Sequence, residues 1–424
     1  MKFTKMSLVA ALLIGSSAFA IENTKVSGDA KLYYSTSDAK AGYAALSNKS
    51  DLFGKDNSAA DAAINLNLTT DLLKNDLVSI SAGAGYTVLT TLGLENNFVS
   101  NVWGSAHTAT ANGNPYPAKV NNANWMNEAW VAATVSKTTV KIGRMELDTP
   151  LAFTETWSIE KNTFEAAVVV NQDVPDTTIV GAYIGNGNGT TDGSVATDIP
   201  GLTRAPLAVG GVVNDGGDFN TYGKSGAYAI GVINNSFKPL TVQAWYYDLS
   251  KLATAYWLQA DLNCQKIPGL IAGLQYTSTT VGNGDASQTF AGMVGYEVKD
   301  LLTAKLAYSN TSTDGDLFGG NTATASGASK LYTEAWWNYG QVTTAGTDAY
   351  HVSVEGNYQT VDLGFYFTYA DHDKAVSSQD LTEFALTASK SFGPLDTTLA
   401  YINYDLGKNT DTVNMIQAYL TLNF

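Results

Sequence analysis

The chain has 424 residues and a formal net charge of −15, from 39 acidic and 24 basic side chains, and only 15% of its residues are charged. This acidic balance argues against nucleic acid as a partner. The single cysteine, Cys264, excludes an intramolecular disulfide framework. After residue 20 no apolar run reaches the roughly 18 residues that a membrane-spanning helix needs, so helical spans are excluded as well.

The first 20 residues have the pattern of a secretory signal peptide. Lys2 and Lys5 give a positive start, residues 7–14 are apolar, and Ala-Phe-Ala at 18–20 supplies the small-x-small cleavage pattern. The apolar run is too short to span a membrane. We therefore expect residues 1–20 to be removed on export from a bacterial cytoplasm, and residues 21–424 to form one domain.

Short segments with alternating apolar and polar residues recur along the rest of the chain, and a period of two is typical of β-strands. They predict 18 strands, at 25–35, 62–70, 77–89, 124–135, 139–145, 163–172, 178–184, 226–235, 241–249, 255–263, 270–278, 287–297, 301–310, 349–357, 361–370, 380–390, 396–405 and 413–424. An even number suits a closed barrel made of one bacterial chain. One missed or invented hairpin would give 16 or 20 strands.

The links between the predicted strands alternate in length. Short turns, several of which contain proline, alternate with links that include the long segments 36–61, 90–123, 185–225 and 311–348. Proline cannot sit inside a hydrogen-bonded strand ladder, so it marks the turns. Short periplasmic turns and longer extracellular loops are typical of outer-membrane barrels. The predicted fold class is therefore all-β, a transmembrane antiparallel β-barrel with both termini on the periplasmic side.

The last ten residues carry the alternation to the end of the chain. Leu420, Leu422 and Phe424 share one face of the last strand, and polar residues share the other. A terminal aromatic residue gains little in a soluble protein, whose ends usually fray, but in a barrel it sits at the bilayer interface. This ending resembles the C-terminal signal of bacterial outer-membrane barrels, so we expect the barrel-assembly machinery to read it. The alternative is the terminal strand of a soluble sheet.

Alternation also assigns each strand residue to lipid or to the lumen. A barrel of this size keeps a water-filled lumen, so the polar faces would line a channel. Acidic residues exceed basic ones about two to one among the inward positions. The charged residues that we expect to line the pore are Lys31, Glu128, Lys141, Asp261, Lys305, Glu355 and Asp362, with Lys25, Asp29, Glu165, Glu297 and Glu383 in addition.

Three stretches of the chain resemble the OprD-like outer-membrane porins. They are Lys-Ile-Gly-Arg-Met-Glu-Leu-Asp-Thr-Pro at 141–150, Asn-Thr-Phe-Glu-Ala at 162–166 and Leu-Tyr-Thr-Glu-Ala-Trp-Trp at 331–337. Met145 replaces a glutamine that is commoner in these porins. In length, signal peptide and Asp/Asn-rich loops, the chain is similar to the porins of Campylobacter relatives.

The resemblance implies an 18-stranded barrel, often a homotrimer, that is narrowed by its third and seventh extracellular loops. In the predicted strand order the third loop is residues 146–162 and the seventh loop is residues 311–348. Related porins bind calcium, at a position that this sequence does not locate, and no other cofactor is expected. The expected surroundings are outer-membrane lipid and lipopolysaccharide. An outward patch of small residues (Gly28, Ala30, Ala82 and Ala84) could pack against a neighbouring protomer.

The third loop carries four carboxylates, Glu146, Asp148, Glu155 and Glu160. Folded into the lumen, they would concentrate cations at the narrowest point. The alternative is a solvated acidic surface. Arg144, at the start of the loop, points outward by strict alternation, although a bulge could turn it inward or it could brace the loop.

Members of the family that take carboxylate substrates carry a ladder of basic residues, whereas this chain has only two arginines, Arg144 and Arg204. We therefore predict a porin for passive diffusion of ions and small hydrophilic solutes, with a preference for cations. The alternatives are a substrate-specific channel for small organic solutes and a structural or adhesive outer-membrane protein. The three histidines do not lie in segments that resemble known outer-membrane enzymes, so we do not expect an enzyme.

Overall fold

The computed structural model describes most of the chain but not its first residues. The described residues are 22–38, 52–54, 57–90, 92–94, 99, 101–102, 123–156, 159–189, 213, 215–223, 225–250, 252–315, 319–323, 328–372, 380–407 and 412–424. The predicted signal peptide, residues 1–20, and Arg204 lie outside them.

Eighteen long strands in the described residues form one antiparallel sheet. They are β1 (Glu22–Ser37), β2 (Ser58–Lys74), β3 (Ser79–Thr90), β4 (Ala123–Val135), β5 (Thr138–Met145), β6 (Phe164–Asn171), β7 (Thr177–Gly187), β8 (Ala227–Asn234), β9 (Leu240–Leu249), β10 (Ala253–Asn263), β11 (Leu270–Val281), β12 (Ala286–Val298), β13 (Leu302–Thr311), β14 (Asp348–Tyr358), β15 (Val361–Asp371), β16 (Leu381–Phe392), β17 (Leu395–Asp405) and β18 (Val413–Asn423). Two further strands of two residues, Asn101–Val102 and Asn220–Thr221, lie in long loops.

The sheet closes on itself. Each long strand pairs with the next one along the chain, and β1 also pairs with β18. Closure pairs both edges of every long strand. A strand in lipid needs this pairing, because no water is present to bond an unpaired edge. The predicted transmembrane antiparallel barrel of 18 strands is therefore confirmed. No helix among the described residues is long and apolar enough to cross a membrane.

The outward face of the barrel is apolar. Side chains that are exposed on it include Ile64, Leu66, Val131, Ile142, Ile230, Leu258, Leu274, Leu306, Leu386 and Leu399. Near the extracellular ends, outward tyrosines of adjacent strands pack in pairs, as Tyr246 and Tyr256 do with ring centroids 5.2 Å apart. An apolar band with an aromatic girdle matches the hydrocarbon and interface layers of a bilayer.

The barrel closes at a contact between Gly28 and Phe424. The Gly28 N–H donates to the Phe424 carbonyl oxygen at 2.9 Å, and the Phe424 N–H donates back to the Gly28 carbonyl oxygen at 3.0 Å. The Phe424 ring lies over Gly28, so that a Cβ at residue 28 would lie 2.8 Å from the ring and 2.2 Å from the Asn65 carbonyl oxygen. Only glycine leaves room for this approach. The half-exposed ring faces outward, in line with Leu420 and Leu422.

This contact predicts that Gly28→Val impairs barrel assembly as deletion of Phe424 does. The added methyl groups overpack the seam at a cost of about 1–3 kcal/mol, and the deletion removes the ring and two backbone hydrogen bonds. The measurement is the fraction of chains that form a heat-modifiable barrel. Ala30→Val, on the same outward face of β1, is the matched control and should assemble normally. Normal assembly of both Gly28→Val and the deletion variant would contradict the role of this contact.

Candidate channel constriction

The third loop folds into the lumen and is held by the barrel wall. Leu151 and Ile159, which lie in this loop, are each 1% exposed. The Lys31 ammonium on β1 donates to the Ile159 carbonyl oxygen at 3.1 Å, and the Tyr247 hydroxyl on β9 accepts from the Leu151 N–H at 3.4 Å. Both wall residues point inward, so the loop spans the space between β1 and β9.

The seventh loop is joined to the third loop by hydrogen bonds from Asn321 and Thr322. The Asn321 side-chain oxygen accepts from the Phe153 N–H at 3.2 Å, and its amide group donates to the Phe153 carbonyl oxygen at 2.9 Å. The Thr322 N–H donates to the Leu151 carbonyl oxygen at 2.9 Å. The backbone groups of Leu151 and Phe153 that leave water in the lumen thus gain partners. The two loops form one unit inside the barrel.

A wall amide holds the seventh loop on the far side of the lumen. Gln275 on β11 donates to the Lys330 carbonyl oxygen at 2.9 Å and accepts from the Tyr332 N–H at 3.0 Å. The Tyr332 hydroxyl donates to Asp261 on β10. These contacts fix the segment that the sequence analysis singled out at 331–337. Asp261 is therefore an inward residue whose carboxylate binds the loop.

Two of the four carboxylates of the third loop are exposed and lie beside lysines. The Lys161 ammonium bonds to Glu146, and the Lys330 ammonium of the seventh loop bonds to Asp148. The side chain of Asp148 is 92% exposed, whereas that of Lys330 is 31% exposed. An exposed ion pair adds little stability, about 0–1 kcal/mol. Its main effect is to place opposite charges at fixed positions next to the channel water.

The other two carboxylates of the third loop, Glu155 and Glu160, are buried. Glu155 accepts from the Asn321 amide, within the joint between the two loops. Glu160 lies against Asn65 of β2 and Thr87 of β3, whose donor atoms are 3.4 and 3.5 Å from its carboxylate oxygens. Burial raises the pKa of Glu160 from its ordinary value of 4.5 to about 7, although the nearby Lys31 opposes the change. The main role of these two buried carboxylates is therefore to hold the loop in position, and their direct effect on ions in the channel is secondary.

Arg144 points outward, as strict alternation predicts, and this corrects its place among the constriction residues. Its Nε donates to Glu165 at 2.8 Å, and its Nη1 donates to the Met126 carbonyl oxygen at 2.9 Å. Its guanidinium lies over the Phe219 ring at 4.0 Å. Glu165 is directly opposite Arg144 in the strand register and shares its face, so the inward assignment of Glu165 is wrong. Arg144 braces the outer surface of the barrel at the start of the loop.

The remaining charged wall positions face the lumen. Ile142, Leu306 and Leu363 are exposed on the lipid side. Because side chains alternate along a strand, the residues next to them point inward. The inward wall residues named from the sequence are Lys31, Glu128, Lys141, Asp261, Lys305, Glu355 and Asp362. The pairing of β4 with β3 has a bulge between the partners of Gly85 and Tyr86. Because of this bulge, Glu128 pairs with Gly85, whose position faces the lumen.

An acidic recess lies at the periplasmic end of the lumen. It has a volume of about 580 Å³, and Glu297, Asp300, Glu355 and Asp362 are among its lining residues. The Tyr366 hydroxyl donates to Glu355 at 2.7 Å. Part of the acidic excess predicted for the lumen therefore lies at this end of the barrel.

No group of three His, Cys, Asp or Glu side chains in the described part of the chain is placed to hold a metal ion. The expected calcium ion thus gains no candidate position there. His372 is buried, and its Nε2 lies 2.9 Å from the Gln341 carbonyl oxygen of the seventh loop. Asp373, which follows it in the sequence Asp-His-Asp at 371–373, lies outside the described residues.

The sequence analysis missed the uncharged residues that hold the loops. Gln275, Asn321 and Tyr247 each bind loop backbone, yet they lie in ordinary strand or loop sequence. The only signal that could have found them is the alternation, because Gln275 and Tyr247 follow the outward Leu274 and Tyr246 in their strands.

Comparison with solved structures identifies the same architecture in bacterial outer-membrane proteins. Pseudomonas aeruginosa OccK8 (OprE) aligns with a TM-score of 0.68 and 15% identity over 96% of this chain and 99% of that chain. P. aeruginosa OpdK, solved with vanillate, aligns with a TM-score of 0.69 and 13% identity over 95% and 99%. P. aeruginosa OccK9 (OpdG) aligns with a TM-score of 0.72 and 11% identity over 96% and 99%. No protein-family model and no curated protein matches the chain. At these identities the similarity shows the fold, and it confirms the OprD-like architecture.

The burial of Glu160 predicts a pH-dependent third loop. A docked loop that favours the protonated carboxyl is held most tightly below pH 4.5, and docking weakens as the pH rises toward about 7. The docking free energy that is lost over this pH range is on the order of 3 kcal/mol. Single-channel current noise should therefore be greater at about pH 8 than at about pH 5, and Glu160→Gln should reduce the difference, leaving the part that comes from Glu334.

Glu146→Gln is the matched control for this prediction, since it removes an exposed carboxylate from the same loop. It should keep the wild-type dependence of current noise on pH. If Glu160→Gln keeps that dependence too, Glu160 does not control docking of the loop.

Proposed function

We propose that this chain is an outer-membrane porin through which ions and small hydrophilic solutes diffuse passively. The observation that carries the proposal is a closed barrel whose lumen is lined by polar side chains and narrowed by two infolded loops. A water-filled lumen and a fixed constriction are what a diffusion channel requires. The fold shared with OccK8, OpdK and OccK9 supports a channel over an enzyme.

A preference for cations is the second part of the proposal. The support comes from the acidic recess around Glu297, Glu355 and Asp362, together with the exposed carboxylates Glu146 and Asp148. The lysine partners of these last two compensate much of the charge at the loops. We therefore assign most of the cation preference to the lumen wall and a smaller part to the loops.

A substrate-specific channel for small organic solutes is the competing proposal. It is favoured by the rigid joining of the two loops to each other and to the wall, which sets Asp148 and Lys330 at fixed positions. The structure of OpdK was solved with vanillate, and that protein shares the fold. A small solute that blocks ion current in a saturable way would favour this proposal. Block that rises only in proportion to solute concentration would favour the general porin.

The proposed place of the protein is the bacterial outer membrane, after export directed by residues 1–20. There it contacts outer-membrane lipid and lipopolysaccharide and is inserted by the barrel-assembly machinery. We also propose a homotrimer, for which Ala30, Ala82 and Ala84 supply an outward patch of small side chains, while the Phe424 ring covers Gly28. The similarity to porins of Campylobacter relatives is a sequence resemblance on which this proposal does not depend.

Oligomeric state can be measured directly by chemical crosslinking in native membranes. Trimers are the expected product, and Ala82→Trp should reduce their yield because a large ring prevents close approach of the strands. Leu274→Trp, on an outward position of β11, is the control. Crosslinking that yields only monomers would contradict the proposed trimer.

Charge substitutions at the constriction should change ion selectivity in opposite directions. Glu146→Gln with Asp148→Asn removes two negative charges and should lower the cation-to-anion permeability ratio, whereas Lys330→Gln should raise it. A unit charge several ångströms from the ion path changes this ratio about twofold in water. The effect should fade at high salt, because the Debye length shrinks from about 10 Å at 0.1 M to about 3 Å at 1 M.

The measurement is the reversal potential of single channels under a KCl gradient, and Glu355→Gln with Asp362→Asn tests the wall contribution in the same way. A wild-type channel that prefers anions would overturn the proposed cation preference. Loop and wall variants that both leave the reversal potential unchanged at low salt would overturn the assignment of selectivity to these carboxylates.

A further inference from the structure

The wall carboxylate of Glu383 lies buried beneath the seventh loop. In β16, Leu381, Glu383 and Ala385 point inward, whereas Thr382 and Leu386 are exposed on the outward face. Glu383 is 1% exposed, in a lumen whose water would otherwise reach it. A carboxylate withdrawn from water needs strong hydrogen-bond donors around it. The seventh loop supplies those donors.

Three N–H donors of the loop converge on Glu383. Its Oε1 accepts from the Trp337 N–H at 2.9 Å. Its Oε2 accepts from the Asn338 backbone N–H at 2.8 Å and from the Asn338 side-chain amide at 2.7 Å. Hydrogen bonds to an ionised acceptor are stronger than those between neutral groups. This contact therefore fixes two consecutive loop residues against β16.

A second buried carboxylate shapes the same part of the loop. Glu334 accepts from the backbone N–H groups of Ser329, Ala335 and Gly340, at 2.5, 3.0 and 3.1 Å. It thereby closes residues 329–340 into a compact turn. Burial raises the pKa of Glu334 to about 7, in keeping with a group that is withdrawn from the channel water. Glu334 gives the segment its shape but does not attach it to the wall.

The compact turn is attached to the wall at both ends and also between them, where the Thr333 hydroxyl lies 2.7 Å from the Ser309 hydroxyl on β13. Gln275 on β11 binds Lys330 and Tyr332 at one end, and Glu383 on β16 binds Trp337 and Asn338 at the other end. Four strands lie between β11 and β16, so the segment crosses part of the lumen. Lys330, whose ammonium meets Asp148 of the third loop, lies at the first end. Movement of the turn as a whole would displace this ion pair.

We propose that Glu383 is a positioning residue for the channel: it anchors the Trp337–Asn338 end of the seventh-loop turn to β16 and thereby fixes that side of the constriction. The inference rests on the proposed porin function for its effect on ion flow, but the anchoring itself is a property of the assembled barrel. Loss of the anchor loosens residues 337–338, while Gln275 and Ser309 still hold the start of the turn and His372 holds Gln341 after it. The loosened segment exposes its buried face and makes the aperture fluctuate.

Glu355 provides a matched control for Glu383. It is an inward wall carboxylate on β14, and the Tyr366 hydroxyl of the adjacent strand β15 donates to it at 2.7 Å. Glu383→Gln and Glu355→Gln make the same chemical change. Only the first substitution removes an acceptor from loop N–H groups, since a glutamine turns an NH₂ group toward at least one of them. Both variants replace one lumen carboxylate with an amide. A difference between their results therefore measures the effect of losing the anchor.

The first readout is the accessibility of the loop in purified, heat-modifiable barrels. Ala335, which is 3% exposed and lies within the turn, is changed to cysteine in a Cys264→Ser background, so that maleimide reacts only at residue 335. Glu383→Gln should raise the labelling rate about tenfold, the effect of losing one hydrogen bond to a charged group, and Glu355→Gln should leave it within about twofold. Equal labelling rates in the two variants would overturn the anchor.

The second readout is single-channel recording, which separates the anchor from the proposed function. Glu383→Gln should increase open-channel current noise, whereas Glu355→Gln should change selectivity without added noise. If the wild-type protein forms no channels, the porin proposal fails, and the labelling rates still decide whether Glu383 anchors the loop. If Glu383→Gln does not assemble, Asn338→Ala removes one of the three donors and leaves the wall intact. It should raise labelling by a smaller factor, and an unchanged rate would overturn the proposal.

Discussion

Backbone hydrogen bonding at the β1–β18 seam is the constraint on which the rest of the structure depends. In lipid every N–H and C=O group must find a partner within the protein, since no water is present to replace one. A sheet meets this demand only when its first strand pairs with its last strand. The close approach of Gly28 and Phe424 lies at this closure. Once the barrel is closed, alternation along each strand gives it a lipid face and a water face.

The closed barrel leaves a lumen that the loops must fill with satisfied polar groups. The third loop enters with apolar residues such as Leu151 and Ile159 buried and its backbone bound to the wall and to the seventh loop. Side chains replace water at the backbone of both loops, as Asn321 does at Phe153. A constriction built in this way is held at many points. Its shape then depends on individual wall side chains, and not on the loops alone.

Buried and exposed carboxylates have different parts in this arrangement. The buried carboxylates are taken up in hydrogen bonds within the seventh loop (Glu334), between the two loops (Glu155) or between a loop and the wall (Glu160 and Glu383). Asp148 and Glu146 keep contact with the channel water. The acidic recess at the periplasmic end adds further carboxylates on the lumen wall. The net charge of the chain therefore says less about the ion path than the burial of each carboxylate does.

The sequence by itself determined the barrel. The alternation of apolar and polar residues in short segments predicted all 18 strands. The predicted bounds differ from the observed ones by a few residues, as 25–35 differs from Glu22–Ser37. It also gave the inward or outward face of Asp261, Lys305 and Arg144, because a strand has a fixed period of two. Tertiary structure alone decided that Glu160 is buried, that Glu165 faces outward with Arg144, and that Gln275 and Glu383 hold the seventh loop. Loops have no period, and their partners are more than 40 residues away along the chain, so local pattern carries no information about which wall residue each loop atom meets.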